Sequence, residues 1–503
     1  MSTSGYNSLV RRVVLQRDVG LVAAGVAGLA VAWLVGKSIA GMEFAVPGAL
    51  VGFVIFLLVF FRPHSIVFLM PAILAAPNYG LDLPGPWAIT IEDAFVLLAF
   101  IGYVVRSLIR RQYIIPRDDK IIYPLLIFNG IAILCVSQVA TINPQDLIFN
   151  VKELIRLTLL NLCYLVVIDI LDSKAQVLRM VKWLVVFSVW MMGVSYYMYV
   201  TKSPFWYYIL TMTPAYIYLH TKILRLVSIA GSTSYTGIYY ATILALATHY
   251  LPLVVTGARK VGAYLLWFSL LAVIALTFNR GTWVGILFGL AVLALHGQID
   301  SRRIAWVALL GVAAILLTTT DIFGEFDIEQ KVADFIYYSS SSAQSRVVRW
   351  ISSINAILAH PLFGVGYNNY AFVYGQYSIL EGVHPMYGSP HNMFVDILTG
   401  TGFVGFSVFM TVIVRLWRRL RDNMRLITDP EIGLLNRGLF LAFLFFLGSG
   451  GFDSFLFKPH HSSYLIVCVW AMGTAIYRMR VGTIIEPGVT PPEIIAARQE
   501  PKR

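Results

Sequence analysis

Charge is scarce in this sequence. Of its 503 residues, 58% are apolar and only 13% are charged, against roughly 25% charged residues in an ordinary soluble domain. That shortage excludes a soluble globular fold. Cysteine is nearly missing as well: Cys135, Cys163 and Cys468 each lie inside an apolar run, and no CxxC spacing joins them. They read as small core residues, which excludes a disulfide framework and a cysteine metal site. No Walker loop, GxSxG, HExxH or DxD occurs. Nucleotide hydrolysis, serine hydrolysis and a metal-dependent transferase therefore lack support, and no cofactor or metal is expected. His460 and His461, near Asp453, would point different ways on any regular element and do not read as a metal site.

Long apolar runs are abundant instead. A membrane-spanning helix needs about 20 mostly apolar residues. Such runs recur near 19–36, 44–61, 65–78, 91–108, 121–139, 153–171, 180–200, 236–256, 262–278, 282–297, 304–320, 391–414, 433–450 and 462–478. The fold expected is an all-α, polytopic integral membrane protein of about fourteen helices, within a range of about 12–14. Residues 1–480 form its one transmembrane domain. The first run follows Arg11, Arg12 and Arg17, as in a cleavable leader, but a second begins near Phe44, so it reads as a retained span.

The net charge of +12 is spread between apolar runs instead of forming one stripe, which argues against nucleic acid as a partner. Lysine and arginine concentrate in cytoplasmic loops. When spans alternate, one side receives Arg11/Arg12/Arg17, Arg62, the stretch Arg106 to Lys120, Lys174/Arg179/Lys182, Arg259/Lys260, Arg302/Arg303, Arg415 to Arg425 and Arg478/Arg480. Both termini are then cytoplasmic. The other side holds short loops, the segment 201–235 and one long insertion, 321–390, expected to contain helices. Lys152, Lys202, Lys222 and Arg225 also land there, against the bias. Within 201–235, the stretch 205–219 reads as an interfacial or re-entrant helix, and 481–503, with Pro487, Pro491, Pro492 and Pro501, as a disordered cytoplasmic tail.

Three polar features sit at the outer interface. Arg280, in Asn279-Arg280-Gly281, joins two uncharged spans; it either snorkels to headgroup phosphates or holds a diphosphate. Arg346 and Arg349, three apart on a helix ended by His360-Pro361, form either a solvated face or a bidentate phosphate surface. His391-Asn392 opens the next span, where His391 is either structural or a general base, with His384 as the next candidate. Asp396, one turn further on, is a buried charge that must find a partner.

Together these residues resemble the superfamily of O-antigen ligases, O-antigen polymerases and related exopolysaccharide polymerases. The resemblance rests on the span-edge Asn279-Arg280-Gly281, on Arg346 to Trp350 followed by His360-Pro361-Leu362-Phe363-Gly364-Val365-Gly366, and on His391-Asn392 followed by Gly402. It implies a metal-independent, inverting glycosyltransferase of the bacterial inner membrane with its site on the periplasmic face. The donor implied is an undecaprenyl-diphosphate glycan and the acceptor another glycan or lipid A core. Membrane lipids and a chain-length regulator protein are further partners of that reading. Arg280, Arg346 and His391 would be catalytic, with Arg349, Asn392, Asp396 and His384 binding substrate. Polymerase is preferred to ligase. A transporter or flippase is the rival of another class, but it should carry charges deep within several helices. The topology has a direct check: labelling of Ser340→Cys and Asp422→Cys should find them on opposite sides of the membrane, and finding both on one side would refute it.

Overall fold

The structure is a computed structural model, and it describes residues 54–55, 57–76, 80–82, 88–109, 113–116, 119–142, 144–201, 226, 232–254, 257, 259–277, 279–297, 342–378, 389–454 and 461–480. Its helices are α1 (Ile66–Leu74), α2 (Ile91–Ile109), α3 (Ile122–Leu134), α4 (Val136–Ile142), α5 (Leu147–Ile170), α6 (Lys174–Thr201), α7 (Thr233–Val254), α8 (Arg259–Leu276), α9 (Arg280–Leu295), α10 (Ser342–Ala359), α11 (Tyr370–Tyr377), α12 (Met393–Leu426), α13 (Pro430–Gly450) and α14 (His461–Arg480). In lipid every backbone polar group must be satisfied within the chain, so apolar runs of this length fold as helices. Four stretches among the described residues are long and apolar enough to cross a membrane: Ile122–Ile142, Lys174–Thr201, Met393–Leu426 and Pro430–Gly450.

Most other expected spans coincide with shorter or less uniformly apolar helices. The spans 19–36 and 304–320, most of 44–61, the interfacial segment 205–219 and the tail 481–503 lie outside the described residues, as do 321–341 and 379–388 of the long insertion. One element was not expected. Gly80–Asp82 pairs antiparallel with Ala88–Thr90 as a two-stranded ribbon. The sequence between the strands contains Pro84-Gly85-Pro86, a composition typical of turns.

The core is organised around α13, which packs against α7, α9, α12 and α14 and buries Leu439 to Phe446 without a break. Its approach to α9 is set by glycines spaced four apart. A Cβ on Gly285 would lie 2.6 Å from the Phe445 carbonyl oxygen and 2.8 Å from the Ser449 nitrogen, and one on Gly289 2.6 Å from the Phe445 ring. Small residues in this register let two helix backbones come together in a medium where lipid is as apolar as leucine.

The residues that charge alternation assigns to the cytoplasmic side meet at one end of the bundle. Arg106 pairs with Asp169 at 3.7 Å, Arg419 with Asp119 at 2.8 Å and Lys174 with Asp429 at 2.5 Å. Tyr164 donates to the same Asp119 at 2.6 Å. At the opposite end Arg156 reaches Glu153 at 3.0 Å and Asp93 at 3.5 Å.

The longest helix, α12, is broken at Gly402, whose φ of 63° and ψ of −170° are open to glycine and strained for other residues. The break frees amide donors, and the loop after α10 supplies the acceptors: Phe403 N–H donates to the Pro361 carbonyl at 2.8 Å and Val404 N–H to that of Leu362 at 3.3 Å. In return, Val365 N–H donates to the Thr399 carbonyl at 2.9 Å. The His-Pro-x-x-Gly-x-Gly segment is thus a plug seated in a notch of α12. It fixes α10 over the start of that helix.

Substitution of Gly285 by alanine puts a methyl against backbone atoms of α13, and overpacking of this kind costs about 1–3 kcal/mol. Thermal unfolding in detergent should therefore shift down for Gly285→Ala. Gly130→Ala, where nothing lies within 4 Å, should leave it unchanged, and equal behaviour of the two would contradict the packing account.

Candidate active site

The site is assembled where α7, α9, α10, α12 and the turn after α13 meet. Asn279 caps α9, accepting from Thr282 N–H at 3.0 Å, while its amide donates to the Ser234 hydroxyl at 2.6 Å. Ser234 in turn hydrogen-bonds Asp453. These contacts tie the starts of α7 and α9 to the turn 451–454. Gly281 lies against Phe452 of that turn, where a Cβ would come within 2.9 Å. Arg280 is the exposed first residue of α9. A cation at the positive end of a helix is unfavourable alone, and an anion there is held by both.

From α10, Arg349 donates to the Ser389 carbonyl at 3.3 Å and Trp350 to the Pro390 carbonyl at 2.8 Å. These bonds hold the strand of residues that leads into α12. Arg346 is half-buried one turn earlier on the same helix. Burial, then repulsion from Arg280 and Arg349, lowers its pKa against the pull of Asp453. It remains charged. Arg346 thus lies within electrostatic range of Arg280, Arg349 and Asp453, and among these described groups positive charge predominates.

His391 stands beside this cationic group. Its φ of 51° lies in the left-handed region, and its N–H donates to the Ser389 hydroxyl at 3.2 Å. Its Nδ1 is 3.4 Å from Asp453 Oδ1. The ring is 38% exposed and the Asp453 side chain 17%, so the histidine opens to the site and the carboxylate is largely covered. Burial alone would raise the Asp453 pKa. Hydrogen bonds from His391, Ser234 and the Ser454 N–H outweigh it and hold the carboxyl below its ordinary value. Asn392 caps α12, accepting from Phe394 and Val395 N–H at 3.0 and 3.2 Å. Asp396 is buried in the first turn, and its Oδ2 accepts from the hydroxyls of Ser454 and, at 3.4 Å, of Ser389.

Residues 264–410 match the family model described as O-antigen ligase. That stretch is similar to an O-antigen ligase domain. The matched stretch contains Arg280, Arg346, Arg349 and His391, the plug and the notch at Gly402. Asp453 lies beyond it. No curated protein matches the chain.

The structure brings Arg280, Arg346, Arg349 and His391 into one group. Asn392 serves as a helix cap, Asp396 faces two serines, and His384 lies outside the described residues. Sequence reasoning missed Asp453 as a partner of His391, having weighed it only beside His460 and His461. It also missed Ser234, Ser389 and Ser454. The available signal was position: Asp453-Ser454 follows directly on the glycine-rich end of α13, at the same membrane level as His391. Among the described residues no group of three or more histidine, cysteine, aspartate or glutamate side chains is arranged to hold a metal ion.

Proposed function

We propose that this membrane enzyme is a glycosyltransferase that moves a polyprenyl-diphosphate-linked glycan onto an acceptor sugar hydroxyl at the periplasmic face of the bacterial inner membrane. One observation carries the reading: three arginines from two helices gather beside a histidine whose Nδ1 faces a carboxylate, at the end of the bundle away from the lysine- and arginine-rich loops.

The donor's diphosphate meets Arg280 and Arg346, with Arg349 beside them, while the polyprenyl tail stays in the bilayer. Guanidinium keeps its charge in a partly dry site and offers a planar fork to phosphate oxygens. Charge that develops on the departing diphosphate is met by these fixed cations, so the reaction does not require a metal ion. With Nδ1–H directed at Asp453, the other ring nitrogen, Nε2, carries the lone pair that takes the acceptor hydroxyl proton. The hydroxyl oxygen bonds to the anomeric carbon as the bond to the diphosphate oxygen breaks. The diphosphate leaves on polyprenol, Asp453 stabilises the imidazolium, and attack from the opposite face inverts the anomeric centre.

The preferred acceptor is a second lipid-linked repeat, which makes the enzyme an O-antigen or exopolysaccharide polymerase. The name of the matching family model favours a second reading, a ligase with lipid A core as acceptor. Offering the purified protein each acceptor separately discriminates the two. Under either reading Arg280→Lys and Arg346→Lys keep charge but lose the fork, and transfer should fall well below wild type. His391→Ala should lose about 10²–10⁴ in rate while still binding donor. Near-normal transfer by His391→Ala would remove the base assignment.

A further inference from the structure

We infer that Asp396 is a positioning residue: through Ser389 and Ser454 it holds His391 and Asp453 in register with each other, and it does not contact substrate. The inference rests on the reading of His391 as the base.

The hydrogen bonds close a ring. His391 N–H donates to Ser389 Oγ at 3.2 Å, and Ser389 Oγ–H donates to Asp396 Oδ2 at 3.4 Å. The Ser454 hydroxyl donates to the same Asp396 Oδ2. Ser454 N–H donates to Asp453 Oδ1 at 2.9 Å, and that oxygen faces His391 Nδ1 at 3.4 Å. Ser389 Oγ also lies 3.4 Å from Ser454 Oγ, so the two hydroxyls touch across the carboxylate. One buried oxygen therefore anchors two chain segments that are about sixty residues apart in sequence, one carrying the histidine and the other its carboxylate.

Two features give this anchor a task. His391 holds a left-handed backbone that a non-glycine residue leaves readily unless its surroundings fix it, and its N–H bond to Ser389 is the contact that does so. Ser454 divides its two donors between the two carboxylates, so a shift at Asp396 moves Asp453 as well. Asp396 itself is 8% exposed, and its Oδ2 already accepts from two hydroxyls.

The test is a double-mutant cycle on the full-length protein in proteoliposomes. It uses a polyprenyl-diphosphate-linked oligosaccharide for transfer and undecaprenyl diphosphate for binding. Asp396→Asn keeps the shape and removes the charge. Its kcat should fall about 10²-fold, within the range for a misplaced general base, with undecaprenyl diphosphate binding within about two-fold of wild type. On the His391→Ala background it should cause no further loss, because residues that act as one unit are not additive. If Asp396→Asn does not fold, Ser389→Ala serves in the same cycle, with a smaller loss in the wild-type background and none without His391. Losses that multiply with His391→Ala, or binding that weakens in step with kcat, would overturn the positioning role while leaving the base reading intact. Near-normal transfer by His391→Ala alone would overturn both.

Discussion

Gly281, Gly285 and Gly289 let α9 and α13 approach until their backbones nearly touch, and the polar end of the molecule depends on that approach. The start of α9 carries Arg280, and the chain leaving α13 carries Asp453. With side chains larger than hydrogen at the glycine positions, the two helices would part by the thickness of a methyl or more. Arg280 would then leave the group around Arg346, and Asn279 would lose the Ser234 hydroxyl that ties α7 to the same turn. Helix contact in the apolar layer thus determines geometry in the polar layer above it. A second joint, the plug at the Gly402 break, sets α10 and its arginines from the other side.

Electrostatics then separates the two halves of the site. Among the described residues the arginines repel one another around Arg346 while Asp453 attracts it, and an arriving anion would relieve that repulsion. The histidine is directed instead toward Asp453, whose carboxyl is kept ionised by hydrogen bonds despite burial. A leaving group that gains negative charge and a nucleophile that loses a proton need opposite surroundings. On the proposed reading, one group of helices would supply both.

Much of this was legible in the sequence, and the parts that were not have a common cause. Lysine and arginine spacing predicted which helix ends share a side, and Arg106, Lys174 and Arg419 each find a carboxylate partner. The ordered motifs pointed to Arg280, Arg346 and His391. Gly402 was visible only as a residue in a pattern, and its reason, a notch that receives Pro361 and Leu362, needs three dimensions. Asp453 and Ser454 were unreadable as parts of the site because a short polar loop between two spans looks alike whether or not a histidine faces it. The small ribbon at 80–90 was overlooked because its strands are three residues each, too short to show alternation.

The central claim is that this polar end makes a glycosidic bond and is not a passage for lipid-linked sugar. The most direct measurement places the purified protein in liposomes with a polyprenyl-diphosphate-linked oligosaccharide labelled in its sugar, in the presence of a chelator, and follows both the product and the leaflet of the label. The account predicts longer or transferred glycan with release of polyprenyl diphosphate, and loss of that product in Arg346→Lys. Movement of labelled donor between leaflets without any new glycosidic bond would contradict it.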